Sequence, residues 1–325
     1  LRLRRPRGGA NPGVFDVETW LFREAIHATG YVVNGPRNRL LWAGTASPLE
    51  AFRVRFGART RAATDSPGAA AVLMAIGTGA RHGVSREQWD RFAISGTSHL
   101  MAISGLHVGL AGIVGFGIAW VLAGLLPLRG GQLLPALASG LATAAMYAVV
   151  SGFGVPAQRA TLMLAAAGFA MLRRRQPQAG AAVSLAGVLV FLANPVASMR
   201  PGFWLSFGAV VLLLWLARRR GIDAPRLADA PIRLFVLQVF LMFGLLPLTA
   251  LLFQRFAIVA TPVNFVAVPL FSFVVVPLTL AGMALGDVSD RVAMPLLRLA
   301  AAAIDVLDAG ILWFVELPFA DLPLA

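Results

Sequence analysis

The sequence predicts an all-α polytopic membrane bundle of about seven spans, one of them discontinuous or re-entrant, behind a small N-terminal β-rich piece. Three observations predict it. Only 13% of the 325 residues are charged and 58% are hydrophobic, with a mean hydropathy of +0.75, whereas soluble domains carry about 25% charged residues. The deficit is uneven: residues 1–91 hold 14 of the 28 Arg and 7 of the 15 acids, and past residue 91 the charges fall in short clusters between apolar runs. Most of those runs come close to the ~20 apolar residues that carry a helix across a bilayer.

Lys is absent, so every basic residue is Arg. Any anion contact is then a forked guanidinium contact rather than an ammonium point charge. The net charge of +13 suits a phosphate-bearing ligand, anionic headgroups, or the ordinary loop bias of membrane proteins. Without cysteine there are no disulfides, thiol nucleophiles or thiolate metal sites. The start, Leu1-Arg-Leu-Arg-Arg-Pro-Arg-Gly-Gly, has neither Met nor the apolar core of a signal peptide, and reads as the beginning of an excerpt from a longer protein.

Along the chain, residues 1–66 read as mostly β or irregular. Short strands are expected at Tyr31-Val-Val-Asn-Gly-Pro and Arg39-Leu-Leu-Trp-Ala-Gly, and a short helix over Asp16 to Ala28. Residues 67–105 form an amphipathic transition. In it, Gly68 to Ala80 is apolar but too short to span, and Ser85-Arg-Glu-Gln-Trp-Asp-Arg-Phe is a capped helix. Spans are expected over 106–127, 132–151, 156–172, 179–198, 203–217, 233–253 and 258–285, within a membrane region of 106–290. Trp120, Tyr147, Trp204 and Trp215 fall near span ends, where amphipathic rings prefer to sit. Residues 291–325 read as an interfacial amphipathic helix and tail, because Arg291, Arg298, Asp305, Asp308 and Glu316 fall on one helical stripe. Carboxylates at a bilayer centre would cost several kcal/mol, which disfavours an eighth span.

Arg129, Arg173-Arg174-Arg175 and the group Arg218, Arg219, Arg220, Arg226 and Arg233 occupy alternate loops. The intervening loops hold no basic residue near 151–155, then Arg200, then Arg255. The positive-inside rule puts the first set in the cytoplasm and residues 1–91 outside.

Three features depart from plain lipid-facing helix. Ser95-Gly-Thr-Ser-His-Leu-Met-Ala-Ile-Ser-Gly-Leu-His-Val-Gly-Leu opens the first span. Close helix packing accounts for Ser104, Gly105 and Gly109. His99 and His107 point instead to a polar lining, since ionisable groups at membrane depth face a cavity. Pro156-Ala-Gln-Arg-Ala opens the third span, where Arg159 either snorkels to the interface or meets an anion. Thr261 to Pro277 carries Pro262, Pro269 and Pro277 with Asn264 and Ser272 between them. Such a stretch reads as a re-entrant or discontinuous helix beside the transport path, or as a kinked helix in the bundle. His27, His82, His99 and His107 have no metal-ligand spacing, and no phosphate loop ends in Lys. Asp305 and Asp308 read as a solvated face. No cofactor, metal site or catalytic set is expected.

The run Thr97-Ser-His-Leu-Met-Ala-Ile-Ser-Gly-Leu-His-Val-Gly-Leu closely resembles the signature of ComEC-type competence proteins. Asn11-Pro-Gly-x-Phe-Asp with Ala28-Thr-Gly-Tyr, Pro156-Ala-Gln-Arg-Ala, Ala193-Asn-Pro, Gly202-Phe-Trp-Leu-Ser-Phe and Pro262-Val-Asn-Phe-Val-Ala-Val-Pro resemble further family blocks in the same order. The resemblance implies a bacterial inner-membrane channel that imports single-stranded DNA during natural transformation. It makes 1–66 the remnant of an extracytoplasmic OB-like domain. The family's metallo-β-lactamase-like domain has no counterpart here, so the implied role is that of a channel and not of an enzyme. Implied partners are single-stranded DNA, the lipid bilayer and other competence-machinery proteins, and oligomeric assembly is compatible with this. Candidates for the path are Ser98, His99, Ser104, Gly105 and His107, then Arg159 and Asn264. The basic outer segment, with Trp20, Phe22, Tyr31 and Trp42 interleaved, is a candidate mouth. The competing reading is a permease for a small polar solute or lipid-linked precursor, or a membrane scaffold for absent soluble domains.

Overall fold

The computed structural model describes residues 2–5, 7, 17–23, 26–33, 35, 38, 47–126, 131–173, 179–193, 195–199, 201–219, 230–253, 255–257, 259–317 and 321–323. The expected strand at 39–44, Trp42, the Asn11 block, Asn194, Arg129, Arg174, Arg175, Arg200, Arg220 and Arg226 lie outside them.

At the N-terminus β1 (Arg2–Arg4) pairs antiparallel with β2 (Thr29–Tyr31), and α1 (Val17–Arg23) lies between them in sequence. The expected helix over 16–28 is shorter than read, and β2 begins two residues before the expected strand. The reading of 1–66 as β or irregular fails at α2 (Pro48–Ala63), a helix of 16 residues. Ser47 caps it by accepting from the Glu50 N–H at 3.2 Å, and Pro48 starts it.

The apolar helix α3 (Pro67–Thr78) is too short to span, as expected, and is buried almost throughout: Val72, Leu73 and Ala75 have no exposed surface. Then α4 (Arg86–Ile94) begins at Ser85, whose side chain accepts from the Gln88 N–H. A 3-10 turn at Ser98–Leu100 leads into α5 (Gly105–Gly124), followed by α6 (Leu133–Val150), α7 (Val155–Leu172), α8 (Ala179–Ala193), α9 (Pro201–Arg219) and α10 (Ala230–Phe253). A short strand, β3 (Arg255–Ala257), pairs with β4 (Asp321–Pro323). Between them run α11 (Ala260–Leu270), a π-helical turn (Phe271–Val275), α12 (Val276–Gly286) and α13 (Asp290–Val315).

Among the described residues six stretches are long and apolar enough to cross a membrane: Ser98–Gly124, Leu133–Val150, Val155–Leu172, Pro201–Arg218, Phe235–Leu252 and Ala260–Gly286. The chain is thus a helical, multi-pass membrane protein. The expected span at 179–198 instead gives the shorter α8 and a 3-10 segment at Pro195–Met199.

The proline-rich stretch is not broken. Its backbone stays helical from Ala260 to Gly286, which corrects the expectation of a discontinuous or re-entrant element. The π turn makes this possible: the Val276 N–H reaches back five residues to the Phe271 carbonyl, just where Pro277 cannot donate.

Between α5 and α6 the backbones nearly touch. A Cβ added at Gly140 would sit 2.9 Å from the Gly112 carbonyl oxygen, and one at Gly115 would overlap Thr143. Ser139 Oγ donates to the Gly115 carbonyl and Thr143 Oγ1 to that of Ala111, each at 3.0 Å. These are the small-residue and hydroxyl contacts by which helices associate in lipid. The close approach lies at Gly112, Gly115 and Gly140, while a Cβ at Gly109 would meet open space.

The main apolar cluster joins α3, α4, α11, α12 and α13, and a second joins α2 to α5, α6 and α7. In α13, Ala293, Leu297, Ala300, Ile304, Leu307 and Ile311 form the buried face, while Arg291, Arg298 and Asp305 are exposed. Asp308, three residues past Asp305, is rotated off that stripe. It accepts from Arg91 Nη2 of α4 at 2.9 Å and so is not part of a solvated face. Trp120, Trp204 and Trp215 are exposed, but Tyr147 is buried and donates to the Ile76 carbonyl of α3 at 2.7 Å.

Arginines of α2 hold two distant helix ends. Arg53 donates to the Val149 and Val150 carbonyls at the end of α6. Arg55 and Arg59 bind Asp287, just past α12, and Arg59 also binds Asp290. Arg53 and Arg59 are separated by six residues, about 9 Å of helix, against a hydrocarbon core of about 30 Å. The ends of α6 and α12 therefore lie on one side, and strict alternation across seven spans does not hold. Because the chain has no Cys, single Gly154→Cys and Val288→Cys variants test this directly. An impermeant maleimide is expected to label both from the same face of sealed vesicles, and labelling from opposite faces would sink the arrangement.

Candidate functional site

The Ser95–Leu110 run forms the corner between α4 and α5. Gly96 has φ +70, and the Thr97 N–H closes the turn on the Phe92 carbonyl at 2.9 Å. Ser95 and Thr97 are buried and share a hydroxyl hydrogen bond of 2.8 Å. His99 is exposed, with Nδ1 3.0 Å from the Gly96 carbonyl. Ser104 caps α5: its Oγ accepts from the His107 N–H at 3.3 Å while His107 Nδ1 accepts from the Ser104 N–H at 3.5 Å. A histidine thus takes the place that Glu or Gln holds in a capping box, and it is buried there at 3% exposure. Ser98 and Ser104 are half-buried and Gly105 is exposed.

Arg159 lies one turn into α7. A Cβ at Gly105 would touch Ala160 at 3.5 Å, so the starts of α5 and α7 are neighbours. Arg159 is 2% exposed, and snorkelling to an interface does not describe it. Its Nη1 donates to the Gly202 and Phe203 carbonyls of α9 at 3.3 Å, and the guanidinium lies 5.0 Å from the Phe207 ring centroid. Its Nε and Nη2 have no acceptor among the described residues. Asn264 lies on α11 against α10: its carbonyl accepts from Gln238 Nε2, and its buried Oδ1 has no donor among the described residues. The fold thus brings the corner of Ser98, His99, Ser104, Gly105 and His107 to the start of α7, while the Arg159 side chain turns to α9 and Asn264 lies against α10.

A cavity of about 640 Å³ opens beside this group, between α2, the turn after α3 and the α6–α7 turn. Ile103 of the Ser/His/Gly run and Pro156 and Ala157 of α7 form part of its wall, Arg53, Arg61, Arg81 and Glu50 supply its charge, and His82 lines it beside them. Desolvation pushes the Arg81 guanidinium down from its ordinary pKa. On the opposite flank of α2 the hydrogen bonds of Arg55 and Arg59 hold the Asp287 carboxyl at about 2. Asp287 in turn raises both arginines.

The sequence reading missed the cavity because it missed α2. The signal was present: Ser47-Pro-Leu-Glu carries the Ser-x-x-Glu capping pattern with Pro at the first helical position. Among the described residues no group of His, Cys, Asp and Glu could hold a metal ion.

Residues 76–325 match the family model described as "Competence protein". The chain belongs to this family. It is 31% identical over 288 residues to "Recombination protein 2" of Haemophilus influenzae, covering 86% of this chain and 36% of that protein. To "Competence protein ComA" of Neisseria gonorrhoeae it is 33% identical over 276 residues, covering 82% and 38%. To "ComE operon protein 3" of Bacillus subtilis it is 27% identical over 293 residues, covering 88% and 35%. The chain thus spans little more than a third of the length of these relatives. No solved structure matches it. The match makes it a ComEC-type competence protein, as the Thr97–Leu110 run implied, and takes in the cavity wall at Arg81 and the whole six-helix membrane region.

Proposed function

We propose that this chain is the passage through which single-stranded DNA crosses the bacterial inner membrane during natural transformation. The family match across the membrane region carries the reading, and relatives named for competence and recombination support a role in DNA uptake. In this reading the six candidate spans form the bundle and the group from Ser98 to Arg159 lies near the outer mouth. Residues 1–91 face outward, and β1–β2 is the trace of an OB-like domain. The ends of α6, α9 and α12 are then all extracytoplasmic, which reverses the side that seven spans gave Arg218 and Arg233. The chain acts by conduction rather than catalysis, alongside other competence-machinery proteins.

His107→Ala and His99→Ala in the full-length protein test it. Losing one side of a cap costs on the order of 1 kcal/mol, too little to unfold a bundle. His107→Ala is nevertheless expected to lower transformation and uptake of labelled DNA by about tenfold or more, because it removes a polar group buried at the mouth. Wild-type uptake in both variants, with the protein inserted normally, would end the claim that this corner lies on the DNA path.

A further inference from the structure

We infer that the cavity between α2, the turn after α3 and the α6–α7 turn docks the phosphodiester backbone of single-stranded nucleic acid, with Arg61 and Arg81 as phosphate contacts and Phe153 as a stacking surface. This rests on the reading of the chain as a DNA passage.

The charge of the cavity is largely uncommitted. Among the described residues Glu50 is the one acid in its wall, and it is paired with Arg53 at 3.2 Å. Arg53 is further spent on the Val149 and Val150 carbonyls. Arg61 and Arg81 have neither an ion pair nor a hydrogen-bond acceptor among the described residues, and His82 stands beside them. Two free guanidiniums on one concave surface fit oxyanions that each take a forked contact. Gly152 and Gly154 line the same cavity, and a Cβ at Gly152 would meet open space, so a polymer backbone can approach the α6–α7 turn closely.

The α6–α7 turn adds an aromatic group. Phe153 has φ +51, a left-handed conformation that a bulky residue rarely adopts. Its N–H donates to the Ala148 carbonyl at 2.7 Å and its carbonyl accepts from Gln158 Nε2 at 2.8 Å, so the turn is held in place. The outcome is a ring left 48% exposed between cavity residues Gly152 and Gly154. Phosphate contacts combined with an exposed ring are how proteins hold single strands without reading sequence. An anionic lipid headgroup shares the phosphate chemistry, and the test separates the two.

The full-length protein in detergent is titrated with a fluorescein-labelled oligo-dT across a salt series. In the Arg61→Ala/Arg81→Ala double variant the log–log salt slope is expected to fall in magnitude by about 1.4, from two contacts of about 0.7 each. Phe153→Ala is expected to weaken binding by about 5- to 150-fold with the slope unchanged. The Arg61→Lys/Arg81→Lys variant keeps the slope, which separates lost charge from misfolding, and Arg298→Ala on the exposed face of α13 leaves it unchanged. An unaltered slope in the Ala double variant overturns the site while leaving the passage intact, provided the wild type binds and transports DNA. Loss of binding to phosphatidylglycerol nanodiscs with oligo-dT binding intact replaces nucleic acid by a headgroup. A wild-type protein that neither binds oligo-dT at low salt nor admits DNA in cells overturns the passage reading itself.

Discussion

Arg159→Met is expected to leave the protein inserted and at least as heat-stable as the wild type, while transformation falls about tenfold or more. The reasoning compares two costs. A guanidinium at 2% exposure has given up its hydration, and two carbonyl contacts at 3.3 Å and one aromatic face are its return. Replacing such a buried ion by an apolar chain of similar volume is often neutral or stabilising. If Arg159 is kept for the fold, the variant should melt early. If it is kept for an anion that passes the start of α7, only uptake should suffer. The check is a detergent melting curve measured beside transformation frequency. Wild-type transformation, or a melting temperature that falls in step with uptake, would defeat the prediction.

The second large effect lies between α5 and α6. Gly140→Leu is expected to prevent the bundle from assembling, and Gly140→Ala to lower its stability by about 1–3 kcal/mol. The added Cβ meets a backbone oxygen at 2.9 Å, and a backbone atom cannot rotate aside as a side chain does. Gly117→Ala is the control, since its Cβ would find open space, and it is expected to be neutral. Membrane accumulation and melting temperature give the readout. A Gly140→Leu protein that accumulates and melts like the wild type would show that α5 and α6 are not packed this closely.

Elements governed by local rules were legible in the sequence. The start of α7 at Pro156, the Ser85 cap, the short apolar α3 and the exposed charges at Arg291, Arg298 and Asp305 each follow from composition or period within one helix. Long-range pairings were not legible. Nothing near Tyr147 signals that its hydroxyl is taken by the Ile76 carbonyl, and nothing near Asp308 names Arg91 as its partner. The π turn is intermediate: Pro269 and Pro277 announce a disturbance, but whether the helix breaks or absorbs it depends on what packs around Phe271 and Val275, both buried. Of the candidate site, the Ser/His/Gly run and Arg159 stood out because lipid would not select them. Arg61 and Arg81 did not, because α2 and the turn after α3 meet the α6–α7 turn only in the folded chain.

The burial of α3 has a consequence for how the protein is made. This helix is synthesised before α12 and α13, yet its apolar surface is too short to be held by the bilayer alone and is covered by them and by Tyr147. Its cluster ends at Ile311, so α3 waits for more than two hundred further residues before its last partners exist. Contacts this distant in sequence form late and leave apolar surface uncovered in the meantime. A chain stopped before α13 would leave the apolar surface of α3 uncovered and open to quality-control proteases.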